Sequence, residues 1–416
     1  MFYMEIYKQV LKEKKESKEK HKELLSKADS VLKKLQRELD KNKVDAQVML
    51  GGSAAKGTFV KNDFDCDVFI RFNPKYKDTM LSEYLAKSLE SFNRIERVHG
   101  SRDYFKGNIN GIDYEFVPVK KISSPEEAVN VTDSSPLHVE WMKKNIKKNP
   151  ELIDNIILAK LFCKAQRIYG AESYIRGFSG HVIDILLSYY KTFEDTLKNS
   201  FNWEKGTIID IENHKTAPQI NESKIASLIL IDPIQPQRNA AAALSIECME
   251  KFKEKAREFL DKPSKDFFEK KEITKDYLKL TAGENELHLI KATPIKSKDD
   301  IAGAKLLKVF EHIQKNIIQH EFTLINSGWV WDKKDYALLW FITDKQELSK
   351  NKLREGPPLK AKRNAEKFKE KHPDNFTKDK RLYAYIKRDF TKARELIDYL
   401  TKNNYVSQRV KDIKIV

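Results

Sequence analysis

Residues 51–72 read GGSAAKGTFVKNDFDCDVFIRF, and this stretch decides the fold of the region around it. Residues 44–50, just before it, are rich in apolar and β-branched side chains and predict a strand. Gly51 and Gly52 break that strand and allow a ligand to approach the backbone closely. Ser53 can cap a helix and offers a hydroxyl beside free N–H groups, which is a phosphate-binding arrangement. The stretch therefore predicts a strand, a phosphate-binding loop and a second strand.

The second strand carries two acidic residues, Asp65 and Asp67. Because strand side chains alternate, both project from one face, about 7 Å apart along the strand. Two carboxylates at that separation can both reach a pair of divalent cations. A later strand pattern, residues 111–119, carries Asp113 and Glu115 with the same alternation. If the two strands are neighbours, a further acid completes a three-carboxylate metal site.

Length and charge limit the class of protein. The chain has 416 residues, enough for about two to four domains, and its net charge is +16 with a pI near 9.3. An excess of positive charge favours a polyanionic partner, most often nucleic acid. The three cysteines are far apart and show no metal-binding or disulfide spacing. The chain shows no signal-peptide pattern and no apolar run near about 18 residues, so we expect a cytoplasmic protein without a membrane partner.

The pattern of apolar residues predicts an α+β protein of several domains. Residues 2–41 predict a helix that covers one face of the catalytic sheet, and residues 44–119 alternate strand and helix. The predicted domains are a catalytic head with a mixed sheet and helices (1–143), a mainly helical central domain (144–260) and an α+β body and tail (261–416). The last includes a basic segment that opens at residues 356–358.

Gly-Ser, Gly-Thr and then Asp-x-Asp on an apolar strand resemble the nucleotidyltransferase superfamily of DNA polymerase β. Further motifs narrow the resemblance and cover nearly the whole chain: GIDYEFVP, SSPLHVEWM, AQRIYGAE, IRGFSGHVIDILLSYY and DPIQPQRNAAAALS, with REGPP as a weaker one. In this order they resemble the archaeal, class I CCA-adding enzymes, the tRNA nucleotidyltransferases.

The resemblance implies a role for each matching position. It implies that two Mg²⁺ ions are held by three catalytic acids, and that CTP or ATP is bound by six further residues. The acids are Asp65, Asp67 and Glu115, and the nucleotide-binding residues are Ser53, Lys56, His138, Lys160, Tyr169 and Arg238. The family often has Arg at position 56 and usually Asp at position 115. Counting back from Val117-Pro118 favours Glu115 over Asp113 as the third acid.

The resemblance also implies the activity, which is template-independent addition of C, C and A to the 3′ end of tRNA. The basic C-terminal region would hold the acceptor and TΨC arms through phosphates, with Lys360, Lys362 and Arg363 as candidate contacts. A homodimer is compatible with the resemblance. Two other functions stay open at this point: a poly(A) polymerase-like or other terminal RNA nucleotidyltransferase, and an RNA-binding protein with an inactive transferase domain.

Overall fold

The computed structural model describes residues 2–416 and divides into two compact units, Met1–Lys271 and Glu272–Val416. The first unit contains α1 (Phe2–Lys14), α2 (Lys18–Lys41), β1 (Ala46–Leu50), α3 (Gly52–Lys56), β2 (Asp65–Phe72), α4 (Leu81–Leu89), β3 (Ile95–Val98), β4 (Tyr104–Ile109), β5 (Ile112–Lys120), α5 (Ser135–Lys148), α6 (Leu152–Ala165), α7 (Gly180–Tyr190), α8 (Phe193–Ser200), β6 (Thr207–Ile209), β7 (Leu228–Leu230) and α9 (Ile246–Asp261). The predicted head and helical segment thus fall together in one unit.

The second unit contains α10 (Lys275–Ala282), β8 (Glu286–Pro294), α11 (Asp299–Gln319), β9 (Leu324–Val330), β10 (Ala337–Thr343), β11 (Asn351–Pro358), α12 (Lys362–Lys371), β12 (Phe376–Lys378), β13 (Arg381–Lys387), α13 (Ala393–Thr401), α14 (Asn404–Ser407) and β14 (Val410–Ile415). Across residues 2–416, we find no helix with both the length and the apolar character needed to cross a membrane.

A five-stranded mixed sheet, in the order β1-β2-β5-β4-β3, forms one half of the first unit. Strands β2 and β5 are parallel, and the other neighbours are antiparallel. The alternation in β2 sends Cys66, Val68 and Ile70 into a core that α2 and α4 share. The opposite face therefore carries Asp65 and Asp67, as the sequence predicts.

The N-terminal region differs from its prediction, because residues 2–41 form two helices and only α2 packs on the sheet. The Ser17 hydroxyl caps α2 by accepting a hydrogen bond from the Lys20 amide at 3.1 Å. Helix α1 instead buries Ile6, Tyr7 and Val10 in the helical half of the unit. A hydrophilic break before Ser17 lets the two amphipathic segments bury their apolar sides in different cores.

The helical half is built around α6 and α7, in which most side chains are buried. Aromatic rings pack tightly there, with Phe162 near Phe193, Phe252 and Phe259. Helix α9 begins at Ile246, where Ser245 caps it by accepting a hydrogen bond from the Cys248 backbone amide at 3.2 Å. The residues before Ser245 form turns that follow the DPIQPQRN motif.

The second unit contains two antiparallel sheets. The four-stranded sheet, β14-β8-β10-β9, packs with α11 and α13 around one core. The three-stranded sheet, β11-β13-β12, has α12 beside β11. The basic segment after Pro358 thus becomes α12 and the strands that follow it.

Candidate active site

The glycine pair lies directly against the acidic strand. The Gly51 amide donates a hydrogen bond to the Asp67 carbonyl at 2.7 Å. Gly52 has φ +54°, and a Cβ there would lie 1.7 Å from Asp67 Oδ2. Only glycine fits this position, because the backbone conformation is left-handed and no space is left for a side chain. The start of α3 is therefore held next to the Asp67 carboxylate.

Strand pairing brings the acids of β2 and β5 onto one face. Asp67 lies opposite Glu115, and Asp65 lies opposite Asp113. Glu115 forms an ion pair with Lys106, which faces it from β4. Asp113 instead accepts a hydrogen bond from the side-chain amide of Asn108 at 2.7 Å. The charge of Glu115 helps to raise the pKa of both Asp65 and Asp67.

The electrostatics of this face are unfavourable for the protein alone. Burial, with the charges of Asp65 and Glu115, raises the pKa of Asp67 to about 6. Burial and the neighbouring Asp63 also raise the pKa of Asp65. Carboxylates that are crowded and partly dehydrated are stabilised by a divalent cation, and these hard oxygen donors match Mg²⁺. The acidic face of β2 and β5 is thus chemically suited to hold that ion.

A second cluster lies beside the acids and is positively charged. Lys56 forms an ion pair with Asp184, which is only 2% exposed. Lys160 is 4% exposed and donates hydrogen bonds to the Thr58 carbonyl and hydroxyl at 3.0 and 3.1 Å. Burial lowers the pKa of Lys160 to about 8, against the opposing effect of Asp184. These lysines are therefore held in place by the fold, as a rigid anion-binding site requires.

Ser53 and Tyr169 flank this cluster. Ser53 lies on α3, half-buried, and its carbonyl accepts a hydrogen bond from the Thr58 amide at 3.1 Å. The Tyr169 ring lies 4.9 Å below the Lys164 ammonium, and Lys164 also pairs with Asp63. Burial and the Asp184 charge raise the pKa of the Tyr169 hydroxyl, so it stays a neutral hydrogen-bond donor.

His138 and Arg238 meet at a buried carboxylate, Asp232, which the sequence analysis did not single out. His138 Nε2 lies 2.8 Å from Asp232 Oδ1, and Arg238 Nη1 donates to Oδ2 at 2.8 Å. His181, also not singled out, places Nε2 3.1 Å from Oδ2. Although burial raises the pKa of Asp232, the hydrogen bonds with His138 and His181 hold it well below the ordinary value. The one signal in the sequence for Asp232 was the DPIQPQRN motif, which begins at this residue but was interpreted only for Arg238.

Asp232, His138 and His181 also have the spacing of a metal site. Within residues 2–416 they are the only three potential ligands whose donor atoms all lie within 4.8 Å of one another. The carboxylate is already saturated, because the Ile234 and Gln235 amides donate to Oδ1 at 2.9 and 3.0 Å and Arg238 occupies Oδ2. A guanidinium in contact with Asp232 repels a second cation. The Arg238 side chain is 41% exposed, which leaves donors for a ligand.

The predicted RNA contacts lie in the second unit. Lys360 is in the turn after β11, and Lys362 and Arg363 begin α12. All three side chains are exposed. We refer to these three residues as the basic turn.

Comparisons with known proteins connect this geometry to a family. Residues 31–138 match a nucleotidyltransferase domain, residues 154–269 the second domain of tRNA nucleotidyltransferases, and residues 288–413 the C-terminal domain of CCA-adding enzymes. A CCA-adding enzyme of Methanocaldococcus jannaschii is 32% identical over 96% of this chain and 91% of that protein. The chain belongs to the CCA-adding enzymes. A second relative in this family, from Nanoarchaeum equitans, is 36% identical over 83% of the chain and 84% of its own length.

Among solved structures, the Cid1 poly(U) polymerase bound to MgATP has a TM-score of 0.53 at 13% identity. The match covers 65% of this chain and 99% of that one. At this identity the similarity concerns the fold alone. Together with the nucleotidyltransferase-domain match of residues 31–138, it confirms the predicted polymerase β-like nucleotidyltransferase fold.

Proposed function

We propose that the acidic face of β2 and β5 is where this enzyme adds C, C and A to the 3′ end of tRNA, using CTP and ATP without a template. The observation that carries the proposal is the position of Asp67, which lies opposite Glu115 and against Gly52. In a chain of this family, that arrangement supports the proposal that the acids and the glycine-rich loop act on one triphosphate.

Asp65, Asp67 and Glu115 would hold two Mg²⁺ ions. When bound, these ions lower the pKa of the RNA 3′-hydroxyl and neutralise charge on the triphosphate as pyrophosphate leaves. Glu115 pairs with Lys106 through one carboxylate oxygen, so its other oxygen would be the one that binds a metal ion.

Four residues of the positive cluster would bind the triphosphate. Lys56 and Lys160 supply charge, while Ser53 and Tyr169 supply hydroxyl donors. Lys56 contributes a point charge without the two-pronged geometry of arginine. Because Asp184 holds Lys56 in place, the ammonium is oriented before the nucleotide arrives.

Arg238 and His138 would recognise the base. Arg238 has only N–H donors, which match the ring-nitrogen and carbonyl acceptors of C and the ring-nitrogen acceptors of A. The protonated N3 of uracil offers no such acceptor. Asp232 orients both residues by accepting their hydrogen bonds.

We place tRNA binding in residues 261–416, nucleotide recognition in residues 144–260 and catalysis in residues 1–143. The basic turn would contact phosphates of the acceptor and TΨC arms. A cytoplasmic location and a homodimer complete the proposal.

The test is Mg²⁺-dependent incorporation of labelled CTP, then ATP, into a tRNA that lacks CCA. We expect an ordered C-C-A product from the wild type, and no product from Asp65→Ala or Asp67→Ala although tRNA still binds. An unordered poly(A) tail would assign the alternative polymerase activity. Absence of any Mg²⁺-dependent product would contradict the proposal.

A further inference from the structure

The small sheet β11-β13-β12 has one covered face and one open face. On the covered face, a Cβ at Gly356 would lie 2.8 Å from the Phe368 ring of α12, and Ala365, Leu382 and Ala384 are buried. Strand side chains alternate, so Tyr383 and Tyr385, the neighbours of Leu382 and Ala384, project to the other side. That side is open to solvent.

Four apolar or aromatic side chains form what we call the aromatic face: Leu353, Phe376, Tyr383 and Tyr385. Phe376 lies opposite Tyr383, and Leu353 lies opposite Tyr385. The Phe376 ring stacks on both tyrosines, with centroids 5.8 Å apart in each case. Tyr385 is 64% exposed and Leu353 50% exposed. Exposed apolar side chains that are grouped in this way mark a binding surface.

The charge around the aromatic face selects the kind of partner. Lys378 and Lys387 each lie two residues beyond an aromatic of this face, so they project from the same side. Among the charged residues that share this face, Lys378, Arg381 and Lys387 are positive, and only Glu355, which pairs with Arg381, is negative. A positively charged surface with flat aromatic rings fits RNA bases, which stack on such rings while lysines hold the phosphates.

We propose that the aromatic face binds unpaired bases of a folded RNA by stacking, with Lys378 and Lys387 on the flanking phosphates. The proposal rests on the tRNA substrate of the proposed function and adds a second contact to it. This contact is separate from α12, because α12 covers the opposite side of the small sheet. It is also different in kind, since the basic turn offers charge and the aromatic face offers stacking.

The test compares tRNA affinity among variants of the full chain by fluorescence anisotropy. Tyr385→Ala should weaken tRNA binding by roughly 5- to 150-fold, the loss expected when a base loses its aromatic partner. Tyr385→Phe keeps the ring and should change the Kd less than about twofold. Tyr277→Ala is a matched control, because it removes another exposed tyrosine, on α10.

Salt dependence separates stacking from charge. Tyr385→Ala should leave the slope of log affinity against log salt unchanged, because no phosphate contact is lost. Replacing Lys378 and Lys387 with Ala should flatten that slope by up to about two units. This pair also provides a test that does not depend on the folding of the tyrosine variant.

Three outcomes would exclude the aromatic face as an RNA site or remove the function on which it rests. If C-C-A addition is present but Tyr385→Ala and the lysine pair both bind tRNA like the wild type, the aromatic face is not an RNA site and the proposed function stands. If Tyr385→Ala converts a dimer to a monomer in sedimentation with tRNA affinity unchanged, the face is an interface between copies of the chain and our proposal is wrong. If addition itself is absent in the wild type, the proposed function fails first.

Discussion

Asp67→Asn should make the metal-free protein more stable at neutral pH, although it removes activity. The wild-type pKa of Asp67 is raised from 3.8 to about 6. The folded protein therefore holds the proton of the Asp67 carboxyl group more tightly than the unfolded chain does. This difference in proton affinity adds to the free energy of unfolding below about pH 4, and the contribution is lost as the pH rises through about 6. Asparagine mimics the protonated form and does not titrate.

The size of the effect follows from the pKa difference. At about 1.4 kcal/mol per unit, ionised Asp67 costs up to about 3 kcal/mol above pH 7. The carboxylate retains some contact with water and shares its shift with Asp65, so we expect about 1–2 kcal/mol. For a unit of this size, that is a rise in Tm of roughly 2–8 °C.

The assay is thermal unfolding by differential scanning fluorimetry at about pH 5 and about pH 8, with EDTA or with excess Mg²⁺. In EDTA the advantage of Asp67→Asn should be larger at the higher pH. Mg²⁺ should stabilise the wild type more than the variant, because binding to the folded state alone shifts the equilibrium. Asp113→Asn is the control, since that side chain is already paired with Asn108. Equal Tm values at high pH in EDTA, or equal stabilisation by Mg²⁺, would refute the reasoning.

Further predictions concern the other groups of the site. Glu115→Gln should reduce the kcat for addition of both nucleotides by roughly 100-fold or more, and Asp113→Asn should reduce it much less. The reverse ranking would mean that Asp113, and not Glu115, is the third acid. Arg238→Ala should relax selection against UTP more than Lys56→Ala does, and an unchanged CTP/UTP ratio of kcat/KM would exclude Arg238 from base recognition. Asp184→Asn, which removes the negative charge that pairs with Lys56, should raise KM for CTP and ATP together by roughly tenfold, whereas an effect on kcat alone would contradict a positioning role. Alanine at all three residues of the basic turn should flatten the salt dependence of tRNA binding by up to about two to three units, and parallel slopes would place the phosphate contacts elsewhere.

Short-range sequence patterns were enough to predict β2 and the face of it that carries the acids. Alternation in β2 puts Asp65 and Asp67 on one face whatever the rest of the chain does, and Gly51-Gly52 before it requires a close approach. The continuous apolar pattern of α6 likewise indicates a buried helix. By contrast, the short strands β3, β12 and β14 were not predicted, because their exposed, charged positions hide the apolar alternation.

The amino-acid sequence by itself determined which acids share a strand face, where the phosphate loop begins and, through its ordered motifs, the family. Only the tertiary structure decided which groups meet. The register of β2 on β5 puts Asp67 opposite Glu115, and the fold brings His138 and His181 to Asp232, the first across 94 residues. It also turns Lys160 into a buried lysine and leaves one face of the small sheet open. Local patterns specify the faces of an element, whereas pairing, burial and pKa depend on what other elements pack against those faces.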